Sequence, residues 1–340
     1  VKKVNPIILF SIFFIVVILI VPSILVLPYS KESTKVVVPE KEPETNLEKK
    51  LAEASPINVS VYRTKKDEVE TIPLEHYVVG VVGAEMPADF EYEALKAQSL
   101  TARTYIVKLL MEDKQVGILK GADISDTENT HQVYKSEDEL KKAWGANYNK
   151  NINKIRKAVY ETRGKILVFN DRPIEASYFS TSNGYTENAE DYWTDAIPYL
   201  KSVKSPWDVE SPKFTDQVKI PVNEFEKKLG VKINSKQVGE IISRTASNRV
   251  EKAKVGGKEF TGRDIREKLG LRSSDFSWKL DGSQVVITTK GFGHGIGMSQ
   301  YGANGMAKEG KSVNDIVKYY YNGVAIEEAS TFLEKYVAKK

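Results

Sequence analysis

A stretch near the start of the chain, PIILFSIFFIVVILIVPSILVLP at residues 6–28, carries no charged side chain. No ordinary soluble fold places so long an apolar run against water. As a helix rising ~1.5 Å per residue, residues 7–27 span a hydrocarbon layer about 30 Å thick. Lys2 and Lys3 precede the run, so the positive-inside bias puts the N-terminus in the cytoplasm and the remainder outside. A cleaved signal peptide would have a shorter apolar core followed by a small-residue cleavage site, and LPYSKESTK is a poor one. The expectation is a retained single-pass anchor over residues 1–28, with Pro22 near its outer end.

Beyond residue 28 the chain is polar enough to be water-soluble for the most part. Of the 340 residues 28% are charged and 41% hydrophobic, and 50 basic side chains stand against 46 acidic ones. The resulting +4 is too even for a nucleic-acid binder. The chain has no cysteine, which excludes disulfides, thiolate metal sites and thiol nucleophiles. Residues 29–56 are rich in Lys, Glu, Pro and Ser and read as a flexible linker, with a short helix near residues 46–54.

After Pro56 the texture becomes that of a folded region. INVSVYRTKKDEVETIPL alternates around Val59 and Val61 and turns at residues 65–67, which predicts a hairpin. Leu74, Tyr77, Val78, Val81 and Val82 recur at the spacing of one helix face. A second helix is expected from about Phe90, capped by Asp89, with Leu95, Ala102, Tyr105, Ile106 and Leu109 facing the core. GKILVFNDRPIEASYF predicts two strands about a turn at residues 170–173. Residues 205–280 mix polar helices with short strands and read as an α+β excursion. Near the end, SVNDIVKYYYNG is a helix with Ser312 and Asp315 as a capping box and Gly323 as its stop.

Glu85 stands apart from ordinary surface glutamates. It sits between the apolar VVGVVGA run and Pro87, at the break between two predicted helices. Val81, Val82 and Met86 would strip water from its carboxyl and raise its pKa, as a general acid near neutral pH requires. A cap or a salt-bridged surface acid is the plainer alternative, and the residues alone leave both open. Lys96 and Arg103, seven apart, could face a ligand or belong to a solvated helix face. In GFGHGIGMSQYG the glycine spacing fits neither a dinucleotide fingerprint nor a phosphate loop, which leaves His294 flanked by glycines and open to a groove. His76 reads as an ordinary polar-face histidine. His131 lacks the companions of a zinc site, and no G-x-S-x-G elbow is present.

Taken together, AEMP, FEYEALKAQSLTARTY, HQVY, ASYFSTSNGYTEN, IPYLKSV, FTGRDIREKLGLRS and GFGHGIGMSQYGANGMAKEGKSVNDIVKYYYNG resemble the stage II sporulation protein D family. Those proteins are membrane-anchored lytic transglycosylases of spore-forming bacteria, related to amidase enhancers. The resemblance covers residues 57–330 and leaves 331–340 as a tail. It implies cleavage of the β-1,4 bond between N-acetylmuramic acid and N-acetylglucosamine, giving 1,6-anhydro ends, with Glu85 as the catalytic acid. It implies Arg103, Tyr178, Ser182, His294 and Gln300 as candidates for the glycan groove. Some clostridial members hold zinc through cysteines near QVY; this chain has none there, so neither metal nor cofactor is expected. The implied partners are peptidoglycan strands stripped of stem peptides, the amidase stage II sporulation protein P, and protein M of that stage. The implied place is the mother-cell membrane, facing the forespore during engulfment. A non-catalytic wall-binding subunit that stimulates an amidase is the alternative. The expected fold is an α+β ectodomain, with a helical part carrying Glu85 and β-rich parts forming the opposite wall of a groove.

Overall fold

The computed structural model describes residues 44–112, 121–127, 131–193, 195–234 and 237–337. Among them no helix is long and apolar enough to cross a membrane. The run at residues 7–27, and with it the expected anchor, lies outside the described residues.

The architecture is mixed α+β, with helices packed among several small sheets. Helix α1 (Glu44–Glu53) leads to the hairpin of β1 (Asn58–Arg63) and β2 (Glu68–Pro73), which pair antiparallel from Asn58↔Pro73 to Arg63↔Glu68. Asp67 at φ 55° supplies the left-handed residue of the turn. Helix α2 (Leu74–Glu85) comes next. The five apolar positions read from its spacing are buried, and so are Val79 and Gly80. It is therefore a core helix rather than an amphipathic one. It ends where Met86 turns extended, at φ −120° and ψ 137°, ahead of Pro87.

Helix α3 (Tyr92–Met111) crosses the middle of the main core. Its N-cap is Glu91, not the expected Asp89, and no side chain caps it. Asn304 Oδ1, from far along the chain, accepts the Glu91 N–H instead, at 2.7 Å. Burial runs right round α3 over residues 97–104, wider than the face predicted from spacing. The helix tolerates this because its buried hydroxyls return to its own carbonyls. Ser99 donates to Leu95 at 2.7 Å, Thr101 to Gln98 at 2.9 Å and Thr104 to Leu100 at 2.7 Å.

The two-residue β3 (Ile124–Ser125) lies parallel to β1, and α4 (Glu137–Trp144) and α5 (Tyr148–Glu161) complete the helical layer. Strand β4 (Lys165–Phe169) turns through Asn170 and Asp171, at φ 49° and 57°, into β5 (Arg172–Pro173). That is the two-residue turn favoured by hairpin twist. Next come β6 (Tyr178–Phe179) and the short α6 (Ala189–Tyr192).

Residues from Ile220 to Ile287 close a second core. It forms between β7 (Thr215–Pro221), α7 (Val222–Leu229), β8 (Glu240–Arg244), β9 (Val250–Val255), β10 (Lys258–Thr261), α8 (Gly262–Leu269), β11 (Phe276–Asp281) and β12 (Gln284–Lys290). The chain then returns to the main core. Strand β13 (Met298–Ser299) pairs parallel with β6 and runs into α9 (Gln300–Lys308) and α10 (Val313–Tyr320). The predicted Ser312–Asp315 capping box is present. Strand β14 (Ala325–Glu328) pairs with β4, and α11 (Ser330–Val337) ends the described chain.

Arg103 does not belong to a groove. It is fully buried on α3 and paired to Glu75 of α2, itself fully buried, with Nη2···Oε2 at 2.7 Å and Nε···Oε1 at 3.0 Å. Its remaining donors go to the carbonyls of Val159 and Lys165, each at 3.2 Å. Glu75 also accepts the Gly164 N–H at 3.1 Å. One ion pair thus joins α2, α3, the end of α5 and the start of β4. Removing one partner strands the other charge in the interior. Arg103→Ala is therefore expected to cost about 3–5 kcal/mol, read as a lowered urea midpoint. Combining Glu75→Leu with Arg103→Met should recover a large part of that loss. A midpoint indifferent to Arg103→Ala would contradict this account.

Candidate active site

Glu85 is the last residue of α2, and three features hold it. Gly80, within α2, lets the loop carrying HQVY lie directly against the helix: a Cβ there would meet the Tyr134 ring at 2.2 Å. Tyr134 stacks on Tyr77 of α2, with ring centroids 5.6 Å apart and 13° between planes. That contact sets Val133 beside the helix end, where its N–H donates to Glu85 Oε1 at 2.8 Å. From the opposite side Gln300, at the start of α9, donates Nε2 to the backbone carbonyl of Glu85 at 3.1 Å. Backbone and carboxyl are thus gripped separately.

The carboxyl opens into a cavity of about 720 Å³. Tyr178, His294 and Gln300 line it, as do His131, Gln132, Lys213 and Arg266. Among the described residues Glu85 is the only acid in that lining. Four of the six expected site residues thus meet here: Glu85, Tyr178, His294 and Gln300. Arg103 is in the ion pair described above. Ser182 is fully buried, its N–H and hydroxyl each 2.9 Å from the Asp208 carboxylate, which also accepts from Ser205 and Ser299 at 2.5 Å. That cluster fastens the loop after β6 to the Pro206–Glu210 turn and the start of α9 and does not reach the cavity. Lys96 also stays out, bound to Glu93 at 2.8 Å and Glu161 at 3.4 Å.

Beside Glu85 the polar atoms are unusually bare. The Tyr178 hydroxyl is buried beside the Gln132 amide and the Glu85 carboxyl, with no partner at good hydrogen-bond geometry among the described residues. Burial and the nearby Glu85 carboxyl keep its pKa well above that of an ordinary phenol, so it stays protonated. Gln132 accepts from the Tyr77 hydroxyl at 3.2 Å, while its Nε2 has no acceptor among the described residues. His131 Nδ1 lies 3.1 Å from the Tyr105 hydroxyl, and its Nε2 is likewise unpaired. Buried polar atoms are rarely left without a partner from protein, water or ligand. Sequence reasoning set aside His131 and passed over Gln132, Lys213 and Arg266. The HQVY motif was the available signal for the first two and FTGRDIREKLGLRS for Arg266; none marked Lys213. Among the described residues no group of three or more His, Cys, Asp or Glu is placed to share a metal ion.

The glycines around His294 serve the backbone more than access. Gly293 lies at φ 122°, and a Cβ on it would strike that of Phe179 at 2.6 Å. The imidazole is only partly exposed, between the rings of Phe179 and Tyr192, with centroids 5.7 Å and 5.9 Å away. Nδ1 accepts the Ile296 N–H at 3.0 Å, which places the neutral ring's proton on Nε2. Burial, with Arg266 nearby, lowers its pKa to about 4. A second cavity, about 470 Å³, lies along α2 by His76, Tyr148 and Arg156, and contains neither Glu85 nor any other expected site residue.

The depressed His294 pKa has a definite sign in stability. Above pH ~6.5 the ring is neutral in both states, and its contribution is complete. As pH falls toward about 4 the unfolded chain takes up a proton that the folded one refuses, and stability declines. The loss is bounded at about 3 kcal/mol. His294→Asn should flatten the urea midpoint between these pH values, and an unchanged pH slope in that variant would contradict the assignment.

Residues 62–169 match a family model described as stage II sporulation protein, SpoIID. A stage II sporulation protein D of Bacillus amyloliquefaciens is 57% identical over 333 residues, covering 96% of each chain. One of Bacillus subtilis (strain 168) is 56% identical over 332 residues, 95% of this chain and 96% of the relative. An amidase enhancer of the same strain is 31% identical over 302 residues, 73% of this chain but 40% of the relative. With near end-to-end identity of this degree, and the motifs around Glu85 in place, the chain belongs to the stage II sporulation protein D family.

Proposed function

We propose that this protein is a peptidoglycan lytic transglycosylase, cleaving the MurNAc-β-1,4-GlcNAc bond and leaving a 1,6-anhydroMurNAc end. The observation that carries the reading is the solitary carboxyl: among the described residues Glu85 is the only acid lining its cavity. A glycoside hydrolase of the usual kind needs two carboxylates about 5–9.5 Å apart, one of them to attack the sugar or activate water. A transglycosylase uses the sugar's own C6 hydroxyl as nucleophile, and one carboxyl suffices.

Val133 commits Oε1 as an acceptor, which favours the acid proton on Oε2. That proton passes to the bridging oxygen as the glycosidic bond breaks, and N-acetylglucosamine departs with a free 4-hydroxyl. The ionised Glu85 then takes the proton of the C6 hydroxyl as that oxygen bonds to C1. The carboxyl is restored and no water is consumed. The phenol of Tyr178 and the amide of Gln132 line the same cavity, and in this proposal they hold the sugar beside it.

In this proposal residues 1–28 are the membrane anchor, 29–56 the linker and 57–330 the catalytic region, facing the forespore from the mother-cell membrane. The amidase stage II sporulation protein P and protein M are the proposed companions. The name of the amidase-enhancer relative supports a second reading, a wall-binding subunit without turnover.

Peptide-free glycan strands incubated with the protein separate the readings by product mass. Anhydro ends, lighter by one water than reducing ends, are expected; reducing ends would mean a hydrolase, and no cleavage the non-catalytic subunit. Glu85→Gln keeps an oxygen for the Val133 N–H, so it should retain fold and strand binding while losing about 10²–10⁴-fold in rate. Normal turnover by that variant would remove Glu85 from the mechanism.

A further inference from the structure

The cavity at Glu85 has a cationic wall. Lys213 and Arg266 both line it and both are partly buried. The Lys213 ammonium lies over two rings, 5.5 Å from the centroid of Phe292 and 5.9 Å from that of Tyr301. Arg266 donates Nε to the Arg272 carbonyl at 3.3 Å and Nη1 to the Tyr192 hydroxyl at 3.4 Å. Neither has an ion-pair partner among the described residues. Their neighbours Arg263 and Arg272 do, in Glu267 at 2.8 Å and Asp216 at 3.3 Å.

Ring faces and carbonyls offset part of the desolvation of these cations but leave their charge uncompensated. Whether Glu85 is ionised or protonated, the charges lining the cavity sum to a positive value. A partly enclosed space of that sign selects an anion. A guanidinium fork and an ammonium lining one cavity suit a carboxylate in particular.

We infer that Lys213 and Arg266 form a subsite for a carboxylate carried by the glycan itself, the free lactyl group of a muramoyl residue. The inference rests on the glycan-cleaving reading above and adds the residues that read the substrate's charge. A lactyl group tied to a stem peptide as an amide has no charge to offer at that point.

The test is equilibrium binding to the full-length Glu85→Gln protein, which does not consume the strand. The probes are peptide-free muramoyl glycan oligosaccharides, with lactyl groups either free or converted to neutral methylamides. The free acid should bind at least ~10-fold tighter, a preference that shrinks as salt rises. On the same background Lys213→Gln with Arg266→Gln should bring the ratio close to one, chiefly through loss of affinity for the free acid. Should the double exchange disturb the fold, Lys213→Gln alone, whose ammonium touches only ring faces, is expected to reduce the ratio. Equal affinities for the two glycans, or a preference that survives the exchanges, overturns the subsite. So does tighter binding of glycan with intact stem peptides, which would assign the cations to peptide carboxylates. In each of those cases the unsubstituted protein still releases anhydro ends if the catalytic reading holds, so the two failures are told apart.

Discussion

A guanidinium with no route to water governs how the helices of the main core meet. Arg103 and Glu75 are both fully buried, so each is tolerable only while the other is in place. The pair fixes α2 against α3, and through the carbonyls of Val159 and Lys165 it draws in α5 and β4. Apolar side chains could have filled that volume, but they would not have specified one angle between four elements. Since α2 ends at Glu85, whatever fixes that helix also fixes the origin of the acid. The charge that the sequence suggested for substrate contact is buried in the core and does not line the cavity.

The division between scaffold and site runs through single residues. Gln300 lines the cavity, yet its amide is spent on the Glu85 carbonyl and on Gln98. Its role is to position the acid's backbone. His294 lines the cavity too, but its Nδ1 is engaged by Ile296 and its ring is wedged between aromatics. The groups left bare, Tyr178 Oη and the Nε2 atoms of Gln132 and His131, are those with bonds still to make. All three residues line the cavity that Glu85 also lines.

Much of the local structure was legible. Alternation about Val59 and Val61, the turn expected at residues 170–173 and found at Asn170–Asp171, and the Ser312–Asp315 cap each depend on residues close in the chain. The break at Met86–Pro87 was legible for the same reason, and with it the position of Glu85 at a helix end. What escaped depended on distant partners. Nothing near Arg103 announces Glu75, and nothing near Ser182 announces Asp208. The α3 cap was misassigned because its N–H is met by Asn304, two hundred residues away. Lys213 and Arg266 looked like two more charges on polar segments, and only the cavity brings them together.

Two of the smallest elements bear on timing. Strands β6 and β13, two residues each, pair in parallel between Tyr178 and Met298, and α9 starts from that pair to place Gln300 against Glu85. The acid therefore waits for a segment synthesised far later than itself. A polypeptide interrupted before residue 300 carries Glu85 at the end of a helix with only one side of its vise. Until residue 300 is in place, the carbonyl at the end of α2 lacks the Gln300 amide that holds it.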